Sequence, residues 1–257
     1  MSAPRPSPSD SNPSKSPASN SPFVAAVVIV AAGDSTRMRS AGGTRKPLLE
    51  LAGKTLLEHA CEPFAASRFV RDIIVVAHHG DRERVLELAR SLPSLSRVLR
   101  VVDGGDLRVD SVRAGVAAVP LDVDVIAVHD AARPFVETEA VDRTLATAAE
   151  RGAALLGIPA VDTLKTTIDG YHAEHTLDRS VIWHAQTPQA FRASLLRELL
   201  ERAAEEGVAP TDEANLYERF VGPVPLEKGS HDYFKITTPR DLELAEALLR
   251  LRAEARA

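Results

Sequence analysis

Short apolar runs alternate with amphipathic segments along the first half of the chain. Residues 24–32 form a run rich in β-branched side chains, without polar positions, which is typical of a strand buried on both faces of a parallel sheet. Further strands are predicted at residues 72–77, 97–102 and 123–128, with helices between them at residues 56–66, 81–91 and 110–119. This alternation predicts an α/β fold of three layers, in which a mostly parallel sheet lies between two layers of helices.

The pattern changes beyond residue 137. A strand is predicted over residues 153–158 and helices over residues 139–151, 194–206 and 241–252, the last of them after a Thr-Pro start signal. Residues 161–183 instead combine several threonines with Ile168, Tyr171 and a glycine at position 170, a composition typical of a β-hairpin. The sequence therefore predicts a β extension on an α/β domain.

The first 22 residues differ from the rest of the chain in composition. They contain 6 prolines and 8 serines and no apolar stretch. Such a segment buries too little apolar surface to offset its conformational entropy, so we expect a disordered tail and not a signal peptide. We expect the remaining residues, 23–257, to form a single domain.

Charge and cysteine content narrow the class of protein. The chain carries 31 lysines and arginines against 36 aspartates and glutamates, a formal net charge of −5. This balance disfavours sequence-independent binding to nucleic acid, which requires a basic surface. No apolar stretch approaches the roughly 20 residues that cross a bilayer, and the single cysteine, Cys61, excludes an intramolecular disulfide framework. We expect a protein of the reducing cytoplasm that binds neither membranes nor nucleic acid.

The loop after the first predicted strand combines small residues with two cations. Ala31, Ala32 and Gly33 open it, and Arg37 and Lys46 follow. Backbone N–H groups of such a loop can bind a phosphate, and the cations suit the charge on a transferring phosphoryl group. Neither the GxGxxG nor the GxxxxGKS/T fingerprint is present, which excludes an ordinary dinucleotide-binding dehydrogenase. Taken alone, the pattern fits a solvated surface loop equally well.

Two later loops also follow predicted strands. Asp130 and Arg133, in VHDAARP, would lie at the carboxyl edge of the sheet, where ligands bind in open α/β folds. There the carboxylate can hold a metal–phosphate complex or a substrate hydroxyl, and the guanidinium a phosphate, unless the two side chains form an ion pair that caps a turn. In GGDLRVDS, Gly105 allows close backbone approach, while Ser111 can cap a helix and contact a base.

Seven motifs in order resemble the 2-C-methyl-D-erythritol 4-phosphate cytidylyltransferases of the non-mevalonate isoprenoid pathway. They are AAGDSTRM, GGDLRVDSV, VHDAARP, VDTLK, LDRSVIWHAQTPQAF, TDEA and FKIT, and the resemblance extends over residues 24–249. It implies a Rossmann-like nucleotidyltransferase of the glycosyltransferase-A-like class that works as a homodimer and uses Mg²⁺. The implied reaction transfers CMP from CTP to methylerythritol 4-phosphate and releases pyrophosphate.

The same resemblance implies a role for each matching residue. Arg37 and Lys46 match the pair that stabilises the transition state at the α-phosphorus, and Lys46 matches better than Arg45. Arg179 and Lys235 match the residues that position the substrate phosphate. The other matches are substrate-binding positions, on the nucleotide side Ala31, Ala32, Gly33, Gly105, Asp106 and Ser111, and on the sugar-phosphate side Asp130 (also the candidate metal ligand), Ala131, Arg133, Thr163, Thr187 and Thr211.

Residues 159–184 match an arm that family members exchange across their dimer. The resemblance therefore implies that Thr163 and Arg179 enter the active site of the partner subunit, and that a monomer lacks a complete site.

Three other functions stay open on the sequence. A close relative that acts on ribitol 5-phosphate or another polyol phosphate would differ only in the loops that contact the sugar. A sugar-1-phosphate nucleotidyltransferase that uses UTP or GTP is disfavoured by the segment at residues 104–111. An inactive nucleotide-binding regulatory domain of the same fold is disfavoured because the cationic residues of the motifs are intact.

Overall fold

A computed structural model describes residues 23–33 and 44–254, and a seven-stranded mixed sheet lies at the centre of these residues. The strands are β1 (Ala25–Ala31), β2 (Val70–Ala77), β3 (Val98–Asp103), β4 (Val125–Asp130), β5 (Ala153–Pro159), β6 (Trp183–Arg192) and β7 (Leu226–Lys228). Their spatial order is β7-β5-β6-β4-β1-β2-β3. The pairs among β1, β2, β3 and β4 are parallel, as is β7 with β5, whereas β6 runs antiparallel to both of its neighbours. The prediction of a mostly parallel sheet is confirmed.

Helices cover both faces of this sheet. They are α1 (Leu56–Ala66), α2 (Arg82–Ser91), α3 (Arg108–Ala118), α4 (Thr138–Arg151), α5 (Ala193–Glu205), α6 (Glu213–Phe220) and α7 (Pro239–Glu254). Buried side chains of α1, α2, α4 and α7 belong to one apolar core, and those of α3, α5 and α6 to a second. The predicted three-layer architecture follows from these two cores.

Strand β1 shows why the apolar run at residues 24–32 contains no polar positions. Its residues alternate between the cores, with Val27 and Ile29 in one and Ala26 and Val28 in the other. All four side chains are 0% exposed because β1 lies between β2 and β4 with helices on both faces.

Strand β6 was not predicted from the sequence. Its ladder with β5 shifts register between Ala185 and Gln189, so the intervening residues Gln186, Thr187 and Pro188 leave the pairing. A proline and buried glutamines within a strand remove the apolar alternation on which strand prediction depends. Helix α6 and the three-residue strand β7 were also missed.

The predicted hairpin at residues 161–183 is confirmed, but its regular pairing is short. Lys165–Thr166 pairs antiparallel with His175–Thr176. Apolar side chains around it are strongly exposed, Ile168 by 86% and Tyr171 by 91%. None of the helices in the described part of the chain has the length and apolar composition of a membrane-spanning segment.

Candidate active site

A cavity of about 590 Å³ opens at the carboxyl edge of the parallel strands. Parallel strands end at the same edge of a sheet, so the loops after β1, β2, β3 and β4 meet there. The cavity gathers the residues that the sequence motifs singled out on those loops. From the predicted set, the lining contains Ala31, Ala32, Gly33, Lys46, Gly105, Asp106, Ser111, Asp130, Ala131 and Lys235.

The loop after β3 packs unusually close to the loop after β1. A Cβ at Gly104 would lie 2.2 Å from the Cβ of Ala32 and 2.8 Å from Oγ of Ser111, so only glycine fits there. The backbone N–H of Gly105 donates to Oγ of Ser111 at 3.2 Å. Ser111 therefore fixes the loop that follows β3, and it does so from the first turns of α3 while lining the cavity.

The geometry at residues 45 and 46 separates the two neighbouring cations. Arg45 points to the loop after β2, where its guanidinium lies 3.3 Å from Oδ2 of Asp81 and 3.2 Å from Nε2 of His78. Lys46 lines the cavity at the start of a short 3-10 turn, Lys46–Leu48, whose Pro47 and Leu48 are buried. This arrangement supports Lys46, and not Arg45, as the cavity cation that the sequence predicted.

A chain of ion pairs crosses the cavity wall. Lys235 Nζ donates to Oδ2 of Asp130 at 2.7 Å, and Arg108 approaches Oδ1 of Asp130 at 3.3 Å. Arg108 also holds Glu213 through two contacts of 2.7 and 3.1 Å. Glu213 opens α6 and is 0% exposed, and Asp130 is 8% exposed. Four charges of alternating sign thus link α3, β4, α6 and the segment before α7.

Burial and charge act in opposite directions on these carboxyl groups. Burial by itself would raise the pKa of Asp130, but the charges of Lys235 and Arg108 outweigh it and hold the pKa below its usual range. At Glu213 burial outweighs Arg108, and the pKa is raised. Asp130 therefore stays ionised at the cavity, and the charge of Glu213 depends on Arg108.

Sequence reasoning missed Arg108 and Glu213. Both lie within the quoted motifs, GGDLRVDSV and TDEA. A charged residue within a motif shows its importance only when its partner is known, and here the partners are 105 residues apart in the chain.

His129 and Thr187 lie behind the cavity wall. His129 is 0% exposed and Thr187 is 4% exposed. The ring of His129 contacts the Thr187 hydroxyl at 2.9 Å and the carbonyl oxygen of Arg133 at 3.0 Å. Burial lowers the pKa of His129 to about 4, so the ring is neutral at pH 7.

Arg133 does not pair with Asp130 as one interpretation of the sequence held. Its guanidinium donates to the carbonyl oxygens of Tyr233 at 2.9 Å and Ala185 at 3.4 Å. A backbone hydrogen bond from Arg133 N–H to the Asp130 carbonyl closes the turn instead. The alternative of an Asp130–Arg133 pair that caps a turn is therefore wrong.

Several predicted residues lie outside the cavity lining. Thr163, Arg179 and Thr211 are exposed, and the Arg179 guanidinium donates to the carbonyl of Val161 within its own arm. Arg133 and Thr187 do not line the cavity either. They lie behind its wall, where they make the hydrogen bonds described above. Arg37 and the proposed N-terminal tail lie outside the described residues.

Comparison with known families decides among the enzymes that share such a cavity. A family model described as 2-C-methyl-D-erythritol 4-phosphate cytidylyltransferase matches residues 25–251. The chain belongs to this family. The resemblance inferred from the seven motifs is thereby confirmed.

The similarity of this chain to individual cytidylyltransferases extends over most of their length. The sequence is 41% identical over 234 residues to the 2-C-methyl-D-erythritol 4-phosphate cytidylyltransferase of Acidobacterium capsulatum, covering 88% of this chain and 98% of that one. It is 39% identical over 233 residues to the enzyme of the same name from Solibacter usitatus, covering 88% and 95%. The crystal structure of 4-diphosphocytidyl-2C-methyl-D-erythritol synthase from Anaerococcus prevotii matches with a TM-score of 0.78 at 26% identity, covering 89% and 96%.

Proposed function

We propose that this chain transfers the CMP group of CTP to 2-C-methyl-D-erythritol 4-phosphate, yielding CDP-methylerythritol and pyrophosphate. The observation that carries the proposal is the cavity itself. Three motifs typical of the cytidylyltransferase family, far apart in the sequence, converge there with Lys46 and Lys235. The family membership supplies the identity of the two substrates.

The reaction needs alignment and charge stabilisation more than proton transfer. A phosphate oxygen of methylerythritol phosphate attacks the α-phosphorus of CTP, and the bond from that phosphorus to the bridging oxygen of pyrophosphate breaks. The attacking oxygen is already anionic, so no general base is required. Two polyanions must instead be held in line, which fixed cations achieve. We infer an in-line displacement without a covalent enzyme intermediate.

Different cations bind the phosphates of the two substrates. Lys46 and Arg37 stabilise the charge that develops on the α-phosphate, and the loop at residues 31–33 supplies backbone N–H groups to the triphosphate. Lys235 binds the acceptor phosphate, and its pairing with the buried carboxylate of Asp130 fixes its ammonium group at the cavity wall.

The loop at residues 104–111 reads the base and ribose. Ser111 holds the backbone of Gly105 in place, so polar groups of the loop are presented in one fixed geometry. Fixed donors and acceptors allow the site to reject a base that leaves them unpaired.

The residues of the cavity fit a Mg²⁺ ion that enters with the nucleotide. Among the described residues, no group of three His, Cys, Asp or Glu side chains is placed to hold a metal ion. Asp106 and Asp130 line the cavity, and one or two carboxylates together with substrate phosphates suit this ion. The bound ion would neutralise charge on the triphosphate. Both oxygens of Asp130 contact cations, Lys235 and Arg108, so Asp130 would bind the ion only after releasing one of them.

A homodimer that exchanges arms would complete the site. Thr163 and Arg179 lie on the exposed segment at residues 159–184 and do not line the cavity of their own chain. The same segment exposes apolar side chains, Ile168, Tyr171 and Val181 among them, which a second copy of the chain would bury. Arg179 of one subunit would then hold the acceptor phosphate beside Lys235 of the other.

Pyrophosphate release tests the proposed reaction. Purified protein with Mg²⁺ is supplied with CTP, UTP, ATP or GTP, crossed with methylerythritol 4-phosphate or ribitol 5-phosphate. We expect release only with CTP and methylerythritol 4-phosphate, none when the acceptor is omitted, and release at least about 100-fold slower when Lys46 is replaced by alanine. Release with ribitol 5-phosphate alone would move the protein to another pathway, and no release with any pair would refute the enzymatic assignment.

A further inference from the structure

A buried string of hydrogen bonds connects three elements behind the cavity. His129 lies near the end of β4, and its ring packs against Phe64 of α1 with a centroid separation of 5.0 Å. The ring contacts Thr187, in the unpaired part of β6, at 2.9 Å, and the carbonyl of Arg133, in the loop after β4, at 3.0 Å. The backbone N–H of Asp130 approaches the same Thr187 hydroxyl at 3.2 Å.

The chemistry of these groups fixes the position of each proton. A carbonyl oxygen only accepts, so Nε2 of His129 carries the proton that is donated to Arg133. The Thr187 oxygen accepts from the N–H of Asp130, which leaves its own proton for Nδ1 of His129. Every donor then has one acceptor. The order is Asp130 N–H to Thr187, Thr187 O–H to His129 Nδ1, and His129 Nε2–H to the Arg133 carbonyl.

The two backbone segments that this string joins are not paired with each other in the sheet, because the ladder between β6 and β4 begins only at Gln189 and Val128. Residues 186–188 leave the ladder between β5 and β6, and residues 131–134 form a turn beyond the end of β4. Arg133 strengthens the same connection, because its guanidinium contacts the carbonyl of Ala185. The two segments are therefore held against each other mainly through side chains.

We propose that His129 is a positioning residue for the acceptor side of the site. Nε2–H of His129 donates to the Arg133 carbonyl and Nδ1 accepts from the Thr187 hydroxyl, so both groups are held in place beside Asp130. His129 itself contacts neither substrate. The inference rests on the proposed function. If it holds, loss of His129 impairs use of the acceptor while binding of CTP, which lies on the β1 and β3 loops, is largely preserved.

Matched variants of the full chain separate the two hydrogen bonds. His129→Leu retains bulk and removes both bonds. His129→Asn places an amide oxygen near the position of Nδ1, and His129→Gln places an N–H near the position of Nε2. Steady-state kinetics would give kcat, and KM for each substrate, in parallel with urea unfolding.

We expect His129→Leu to lower kcat/KM for methylerythritol 4-phosphate by about 10- to 100-fold, with KM for CTP changed less than about threefold. His129→Asn should recover a large part of the loss. Thr187→Val should cost less in the His129→Leu background than in the parent, because the two residues act through one another. Equal losses toward both substrates, or a fall in stability with unchanged kinetics, would overturn the proposal.

A spectroscopic measurement covers the case in which the leucine variant does not fold. A long-range ¹H–¹⁵N correlation spectrum of the parent protein, labelled at histidine nitrogen, reports the tautomer of His129 directly at neutral pH. The neutral Nε2–H form is expected, and a charged ring or an Nδ1–H form would overturn the inference. This outcome does not depend on the substrate, so it separates failure of the inference from failure of the proposed function.

Discussion

Replacing Arg108 by methionine leaves the buried carboxylate of Glu213 without its ion-pair partner. The Glu213 side chain is 1% exposed and the Arg108 side chain 29%, and their two contacts are 2.7 and 3.1 Å. Removing one partner of a buried ion pair costs about 3–5 kcal/mol, because the remaining charge loses both its partner and its water. Arg108 is partly exposed, so we expect the free energy of unfolding to fall by about 3 kcal/mol at pH 7, the lower end of that range.

The pH dependence of this loss identifies its cause. Burial already raises the pKa of Glu213 in the folded protein, and removal of Arg108 raises it further. A carboxyl group whose folded pKa exceeds its unfolded value binds protons more tightly when folded, so stability falls as pH rises through the folded pKa. The Arg108→Met penalty should therefore be large at pH 7 and shrink as the pH is lowered and Glu213 takes up a proton.

Urea unfolding at several pH values measures the effect. The control is Arg108→Met in a Glu213→Gln background, where Asp130 keeps its pairing with Lys235 and no buried carboxylate is left unpaired, so the cost should be small and largely independent of pH. A penalty below about 1 kcal/mol at pH 7, or one that does not change with pH, would refute the reasoning.

Three further predictions follow from the site and its surroundings. Lys46→Ala should lower kcat by at least about 100-fold, as loss of a transition-state cation does. Arg45→Ala removes partly exposed contacts to Asp81 and His78 and should change kcat less than about threefold. Equal losses would show that the wrong cation has been assigned. Mixing inactive Lys46→Ala and Arg179→Ala subunits under exchange should restore about a quarter of parental activity, since half the dimers are mixed and each has one intact site. No recovery would mean that Arg179 serves its own chain. Cys61 is 0% exposed and burial raises its thiol pKa, so alkylation should be at least about 100-fold slower in the folded protein than in urea; comparable rates would contradict this.

Much of the α/β framework can be predicted from local patterns in the sequence. The uninterrupted apolar run at residues 24–32 predicts a central strand, because a strand covered by helices on both faces buries every one of its side chains. Helix α1 begins where predicted, and the capping box of Thr55 and Glu58 provides the local reason.

The remainder depends on contacts between distant segments. Strand β6 carries proline and glutamine at buried positions, and it becomes a strand because β4 and β5 flank it on both sides. Thr187 was predicted as a site residue from its motif, but nothing local shows that its hydroxyl bonds His129. Arg108 and Glu213 likewise acquire their role through a pair that spans 105 residues.

The sequence by itself determined the alternation of β1 to β4 with α1 to α3, the cations and small-residue loops at the strand ends, and the resemblance to cytidylyltransferases. These depend on local periodicity and on motifs that are contiguous in the chain. Only the tertiary structure decided that Asp130 lies between two cations, and that Arg108 pairs with the buried Glu213. The physical reason is that burial and Coulomb interactions depend on distances between residues far apart in sequence, and folding alone sets those distances.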